Sequence, residues 1–191
     1  MVERFSLHCR LALAASEREA RSLKHPHVAT EHVLLGLLSV EDSVAAQALR
    51  LLGVTRRKAR RSIVRLVDVG RERQQGALSF TPRVREIIED AFSGSSWMPL
   101  VIQTSLEPVE ICAPVSRAPR LRPGVRHEVR SEELLFALLA HGEGVAAHVL
   151  SGFDVDLAKL AVAIQRVRFS GAPATLFQAP SRWPPEPPKP A

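Results

Sequence analysis

Apolar residues recur every three to four positions through most of this chain, which is the spacing of helices that bury one face. The first such stretch runs from Arg4 to about Lys24, and Pro26 ends it because proline disfavours helical geometry in the residue before it. Its apolar positions are Phe5, Leu11, Ala12, Ala15 and Ala20. The spacing therefore predicts an opening helix with its polar side at residues 17–19.

Hydroxyl and acidic residues mark where the next helices begin, and glycines mark where they end. Gly53 and Gly70 are expected to stop the third and fourth helices, and Pro82 takes the first position of the fifth. The predicted N-caps are Thr30, for a helix to about Val40, then Asp42 or Ser43, Thr55 and Thr81, and helices resume at Ser131, about Val145 and about Asp154.

Proline interrupts the helical pattern twice. Residues 95–127 contain five prolines and allow at most short edge strands or a hairpin. Residues 169–191 hold seven of the chain's 14 prolines and are expected to be extended or disordered. The chain is thus divided into residues 1–70, a linker at 71–79, residues 80–168 with an insertion at about 95–127, and the tail.

The two larger segments are repeats of each other. Thr30–Val54 aligned with Ser131–Val155 at an offset of 101 gives nine identities in 25 positions, including Glu31 with Glu132. The preceding helices match at an offset of 75, and the difference, 101 − 75 = 26, is the length of the insertion. The pattern predicts an all-α fold of about eight helices, in two pseudo-symmetric four-helix repeats packed face to face.

Composition agrees with helices and excludes several classes. Aromatics make up 5% of the chain and tyrosine is absent, which disfavours a sheet sandwich. Two cysteines form no disulfide framework, which favours a reducing, cytoplasmic compartment. We expect no signal segment and no membrane span, because no run of about 18 apolar residues occurs. The net charge of +6 permits nucleic acid or acidic partners.

Three segments carry a family resemblance. Residues 1–38, the signature SFTPRVREIIE and the phrase GEGVAAHVL resemble the N-terminal domain of ClpC-type AAA+ unfoldases. The resemblance implies a helical double repeat that docks substrates and adaptors. The insertion is unusual, and Ser131-Glu132-Glu133 replaces a second TEH. No G-x-x-x-x-G-K-[ST] occurs, so we expect a stand-alone docking domain without ATPase modules and without a cofactor.

Each repeat opens its second helix with a hydroxyl residue and a glutamate. A helix N-terminus favours phosphate, and a carboxylate can accept a guanidinium. The resemblance implies phosphoarginine recognition at Thr30, Glu31, Ser131 and Glu132. Ordinary helix capping explains the same residues equally simply. Glu133 should repel phosphate and weaken the second site.

The matched first helices form a groove in relatives, which accepts hydrophobic adaptor segments and cyclic peptide antibiotics. The resemblance places that groove at Val2, Arg10, Leu13, Phe80, Arg85 and Glu89. Val2 lacks the aromatic ring common at this position, which argues against tight cyclic-peptide binding. Core packing of Leu13 and Phe80, and an i,i+4 surface pair of Arg85 with Glu89, are the alternatives.

Catalysis and metal binding find no support in the motifs. HExxH, CxxC and G-x-S-x-G are all absent, and His32 is expected to orient its turn rather than bind a metal. Arg56, Arg57, Lys58, Arg60 and Arg61 offer a rival function in nucleic-acid binding. The run lacks interleaved aromatics for base stacking, so a solvated face or an acidic partner is favoured.

The sequence therefore predicts a non-enzymatic, cytoplasmic, peptide-binding protein. Its expected partners are Clp protease components, adaptors or marked protein substrates, with cyclic peptide natural products as further candidates. Its expected role is that of an adaptor, a decoy or a ligand scavenger of a Clp protease system.

Overall fold

The computed structural model describes residues 4–71, 76–93, 102–104, 107–109 and 128–169, and within them the chain forms eight helices and four short strands. The helices are α1 (Leu7–Ser22), α2 (Thr30–Ser39), α3 (Val44–Leu51), α4 (Arg56–Leu66), α5 (Pro82–Ser93), α6 (Ser131–Ala140), α7 (Val145–Gly152) and α8 (Leu157–Arg168). The strands are β1 (His27–Val28), β2 (Ser79–Phe80), β3 (Ile102–Thr104) and β4 (Glu107–Val109). The prediction of an all-α fold is confirmed.

Short polar side chains set most of the helix starts. Ser43, rather than Asp42, caps α3 by accepting the Ala46 N–H at 3.1 Å. Thr55 caps α4, and Asp156 caps α8 by accepting the Lys159 N–H at 2.7 Å. Gly53 follows α3 with φ of 78°, a conformation that glycine adopts without strain. The predictions at Ser43, Thr55 and Gly53 are confirmed, whereas the cap at Asp156 was not predicted.

Helix α4 ends at Leu66, so the predicted end at Gly70 is wrong. The chain turns extended at Val67, and the Gly70 N–H donates to the Leu23 carbonyl at 2.9 Å. A Cβ atom on Gly70 would lie 1.9 Å from the Lys24 carbonyl oxygen. Gly70 is therefore needed for this close approach to the end of α1, and not as a helix stop.

The opening helix also differs from its prediction. It begins at Leu7, with Ser6 as its N-cap, and Phe5 lies in a bridge that precedes it. Leu11 is 45% exposed although its spacing had placed it among the buried positions. The buried face of α1 is the one that packs on α2, and it is lined mainly by alanines.

The two halves pack face to face with reciprocal contacts, as predicted. Helix α2 contacts α7, and their repeat mates α6 and α3 contact each other. Helix α3 contacts α8, and their mates α7 and α4 do likewise. One cluster of buried side chains runs through both halves, with Leu34, Leu37, Leu135 and Leu138 fully buried in it. The core is therefore shared between the repeats.

Two parallel backbone pairings join the halves and obey the same symmetry. Val28 pairs with Phe80, and Phe5 pairs with Val129. Val129 is the mate of Val28 at the offset of 101, and Phe80 is the mate of Phe5 at 75. In each pairing, the segment before the first helix of one half pairs with the segment before the second helix of the other half.

Within the insertion, β3 and β4 pair antiparallel, as expected for a hairpin, and the rest of residues 95–127 and the tail from 170 lie outside the described residues. Among the described helices none is singly long and apolar enough to cross a membrane. Helices α6 and α7 pass that test only when joined, and they meet at 91°.

Candidate functional site

Glu31 and Glu132 are the second residues of α2 and α6, and both are buried, at 5% and 3% exposure. The hydroxyl before each one donates to it, from Thr30 to Glu31 Oε2 at 3.4 Å and from Ser131 to Glu132 Oε2 at 3.1 Å. The hydroxyls therefore hold the carboxylates in place.

The prediction that Thr30 caps α2 is wrong. Helix α6 begins at Ser131 as predicted, although Ser131 is not its N-cap. The N-cap positions belong to Ala29 and Arg130. The backbone N–H of each of these residues donates to the side chain three positions later. His32 Nδ1 accepts the Ala29 N–H at 2.9 Å, and Glu133 Oε2 accepts the Arg130 N–H at 2.9 Å. Thr30 and Ser131 stand one position inside the helix, where their hydroxyls are free for other contacts.

The Thr30 hydroxyl faces the N-terminus of a helix from the other half. It accepts the Ala146 N–H of α7 at 3.4 Å, and a Cβ atom on Gly144 would lie 2.7 Å from it. Gly144 has φ of 96° and carries no side chain that could cap α7. Thr30 and Glu31 are therefore placed where the dipole of α7 favours negative charge.

A chain of hydrogen bonds through two histidines lies beside Glu31. The Ala29 amide can only donate and the Asp68 carbonyl can only accept, which fixes the protons between them. His32 Nδ1 accepts from Ala29, its Nε2–H donates to His25 Nδ1 at 3.0 Å, and His25 Nε2–H donates to Asp68 at 2.8 Å. His32 thus orients the turn, as expected, and braces it against the end of α4.

His25, Glu31 and His32 bring three ligand atoms within 4.8 Å of one another, a spacing that a metal ion could bridge. Sequence reading missed this group because the turn, not the spacing, brings it together. A metal-bound histidine normally donates its other N–H to an acceptor. His32 Nδ1 accepts a hydrogen bond from the Ala29 N–H instead, so the network favours a hydrogen-bonded brace over a metal centre.

The two glutamates differ in the cation that faces them. Arg168 at the end of α8 donates from Nε at 3.2 Å and from Nη2 to Glu132 Oε1. The mate of Arg168 in the first half is Val67, since 168 − 101 = 67. Glu31 Oε1 lies 4.0 Å from His25 Nδ1 and 3.9 Å from His32 Nδ1, and none of the described residues donates a hydrogen bond to it. Glu31 is therefore the carboxylate that lacks a guanidinium.

The predicted groove residues divide by exposure. Leu13 and Phe80 are half-buried against the core, which agrees with the core-packing alternative, whereas Arg10, Arg85 and Glu89 are exposed. Arg85 and Glu89 form no ion pair with each other, and Val2 lies outside the described residues.

The predicted groove residues did not include two exposed leucines of α1. Leu7 and Leu11 stand four residues apart on α1, and they are 60% and 45% exposed. Spacing alone could not reveal this, because it does not say which face of α1 meets α2. The ends of α1 and α5 are linked nearby by the contact of Phe5 with Phe92, whose rings lie 4.6 Å apart.

The arginine run of α4 is partly neutralised inside the molecule. Arg56 and Arg60 both bind Glu19, a buried residue of α1. Lys58 donates to the Gly53 carbonyl at 3.0 Å. Arg57 and Arg61 stay exposed, so the charge available to a nucleic acid is smaller than the sequence indicated.

Cys9 is buried in α1, and burial together with the nearby Glu133 and Glu132 carboxylates raises its pKa to about 12. The thiolate is the reactive form of cysteine, so this side chain is inert as a nucleophile.

Comparison with known proteins places this geometry in a family. The Clp repeat (R) N-terminal domain matches residues 4–96. An ATP-dependent Clp protease ATP-binding subunit ClpA homolog of Cyanidium caldarium is 32% identical over 160 residues, which is 84% of this chain and 16% of the relative. The negative regulator of genetic competence ClpC/MecB of Bacillus subtilis is 31% identical over 159 residues, 83% of this chain and 16% of the relative. The chain thus spans about a sixth of these relatives.

Solved structures share the fold. The N-terminal domain of the caseinolytic protease associated chaperone ClpD from Arabidopsis thaliana superposes with a TM-score of 0.60 at 21% identity, covering 86% of this chain and 97% of that one. The ClpV N-domain in complex with a VipB peptide gives 0.54 at 17% identity, covering 86% and 89%. With its two reciprocal four-helix halves and its matched segment, this chain belongs to the Clp repeat (R) N-terminal domain family.

Proposed function

We propose that this protein binds arginine-containing segments of other polypeptides, without catalysis, as a docking component of a Clp system. The observation that carries the proposal is the Glu31 carboxylate, which is buried and has one oxygen without a hydrogen-bond donor. A buried charge without a partner is costly, and a guanidinium supplies several donors to a carboxylate in a planar fork. Glu31 is therefore suited to a guanidinium from outside.

A phosphorylated guanidinium fits the same place better than a plain one. The N-terminus of α7 and the Thr30 hydroxyl lie beside Glu31, and a helix N-terminus favours phosphate. Phosphoarginine combines both charges in one side chain, so it is the ligand that we propose for the first repeat. Ser131 and Glu132 are its counterparts in the second repeat, where Arg168 already binds the carboxylate.

The test is a calorimetric titration of the protein with free phosphoarginine. We expect saturable binding that is lost in Glu31→Gln, because the amide keeps the shape of the side chain and removes its charge. The matched control is Glu41→Gln, whose side chain is exposed and pairs with Arg50 at 3.3 Å. Equal affinity of the native protein and Glu31→Gln would refute the site.

An apolar surface supports a second mode of binding. Leu7 and Leu11 are exposed on one face of α1, and such patches mark interaction sites. A ClpV N-domain is known in complex with a peptide, and we propose that this face of α1, with Arg85 and Glu89 on α5, takes apolar peptide segments or cyclic peptides. Leu11→Ser should then weaken the binding of a labelled apolar peptide, whereas Leu51→Ser, an exposed leucine of α3, should not.

We propose that the cellular role is to deliver or to withhold marked segments. A chain that binds marked segments can deliver them to a Clp protease as an adaptor, or withhold them as a decoy or scavenger. A degradation assay with a Clp protease and an arginine-phosphorylated substrate distinguishes these roles, because an adaptor accelerates loss of the substrate and a decoy slows it.

A further inference from the structure

The contact between Arg168 and Glu132 has the form of a ligand contact. Two nitrogens of the Arg168 guanidinium meet the same oxygen, Oε1, while Oε2 accepts the Ser131 hydroxyl. Glu132 is buried, and the Arg168 side chain is 25% exposed. The guanidinium therefore covers the carboxylate from the solvent side.

The repeat shows what this contact replaces. Glu132 and Glu31 are mates, and the helices around them pack reciprocally, so the two carboxylates stand in equivalent frames. Position 67, the mate of 168, is a valine, whose side chain cannot donate a hydrogen bond. The second half thus supplies a guanidinium from its own last helix, whereas the first half has the carboxylate without one.

We propose that Arg168 is the built-in occupant of a second guanidinium site at Glu132. Glu132 is then not available to an external arginine in the native protein. It becomes available only when the Arg168 side chain is removed. This inference rests on the proposed function for its ligand class, but it concerns a different carboxylate and can be tested separately.

The test removes the Arg168 side chain by mutation and supplies a guanidinium as a small molecule in solution. Arg168→Ala leaves a buried carboxylate without its partner, and we expect its Tm to fall by roughly 5–15 °C. Capped arginine (N-acetyl-arginine amide) should then raise the Tm saturably and bind in a calorimetric titration. Capped lysine at the same ionic strength should do much less, because it lacks the planar fork.

The matched control is Arg65→Ala, which removes an exposed arginine from the last turn of α4, the mate of α8. Its response to capped arginine should equal that of the native protein. If Arg168→Ala does not fold, Arg168→Gln removes the guanidinium but keeps a longer side chain, and its response to capped arginine takes the place of the alanine variant's. An equal response of the Arg168 and Arg65 variants would overturn the inference.

A double variant separates this result from the proposed function. Adding Glu132→Gln to Arg168→Ala should return the response to capped arginine to the level of the native protein, whereas adding Glu31→Gln should leave the gain over the native protein in place. If the native protein fails to bind phosphoarginine while Arg168→Ala gains Glu132-dependent binding, the proposed function fails and this inference stands. If the binding gained in Arg168→Ala over the native protein depends on Glu31 and not on Glu132, the inference fails.

Discussion

At the scale of residues, three of the four glutamates that are buried among the described residues compensate their charges in different ways. Glu19 binds two arginines of α4, and Glu132 binds one arginine of α8. Glu31 has a threonine hydroxyl at 3.4 Å and two imidazoles at 3.9–4.0 Å. Removing the partner of a buried charge costs about 3–5 kcal/mol, so the weakest of these arrangements has the most to gain from an external cation.

His32 makes stability depend on pH near the first site. Its burial, with a smaller contribution from His25, lowers its pKa from 6.5 to about 3. Below pH 6.5 the unfolded chain binds a proton here that the folded chain does not. The free energy of unfolding therefore falls as the pH drops from about 6.5 toward 3, by at most about 1.4 kcal/mol per pH unit from this group, and the contribution is complete above 6.5.

Urea unfolding of the native protein and His32→Asn at several pH values between about 7.5 and 5 tests this dependence. We expect His32→Asn to be less stable at neutral pH and to lose less stability on acidification. His148→Asn, an exposed histidine of α7, should keep the native slope. Equal slopes in the native protein and His32→Asn would contradict the low pKa.

At the scale of elements, helices α1 and α2 approach each other closely at Gly36. A Cβ atom there would lie 2.3 Å from the Ala12 carbonyl oxygen and 2.8 Å from the Ser16 nitrogen, so backbone and not a flexible side chain blocks it. Gly36→Ala should therefore force the helices apart and lower the free energy of unfolding by about 1–3 kcal/mol. Thermal or urea unfolding measures the change.

Gly152 in α7 is the control for that substitution. Nothing lies within 4 Å of a Cβ atom built there, and its φ is not in the left-handed region. Gly152→Ala should be neutral or stabilising by up to about 1 kcal/mol, since alanine favours the helix. A stability loss in Gly152→Ala as large as that of Gly36→Ala would mean that helix propensity, not the crossing, sets the cost.

Helix starts were predictable wherever the cap is a local event. Ser43, Thr55 and Thr81 each accept a backbone amide three residues on, so the signal lies within one turn. Thr30 shows the same sequence pattern but does not cap α2, because His32 accepts the Ala29 N–H and the Thr30 hydroxyl contacts α7. The His32 contact lies within the same turn, but the contact with α7 comes from the other half of the molecule, which a local pattern does not contain.

The candidate site was only half predictable for the same reason. The repeat offset located Glu31 and Glu132, since it aligns equivalent positions without any knowledge of contacts. Arg168 could have been noticed by extending the offset to Val67, but its contact with Glu132 depends on how α8 packs against α6. The histidine brace is likewise invisible in sequence, because a turn brings His25 onto His32.

At the scale of the molecule, the two four-helix repeats form one domain. Reciprocal helix contacts and the two backbone pairings, Val28 with Phe80 and Phe5 with Val129, relate the halves by a pseudo-two-fold axis. The first site is made by both halves, because Thr30 of one meets the start of α7 in the other. Ligand binding and the packing of the halves are therefore linked.

A fragment of residues 1–78 tests how far each half depends on the other. It keeps α1–α4 but exposes the faces of α2, α3 and α4 that contact the second half. We expect no cooperative unfolding of the monomer, since a small helical layer without its partner buries too little apolar surface. Reciprocal contacts also allow two fragments to replace each other's missing half, so any folded form should be a dimer whose Tm rises with concentration. Calorimetry and light scattering, with residues 1–169 as the control, measure both properties. A folded monomer with a concentration-independent Tm would show that each half has a sufficient core of its own.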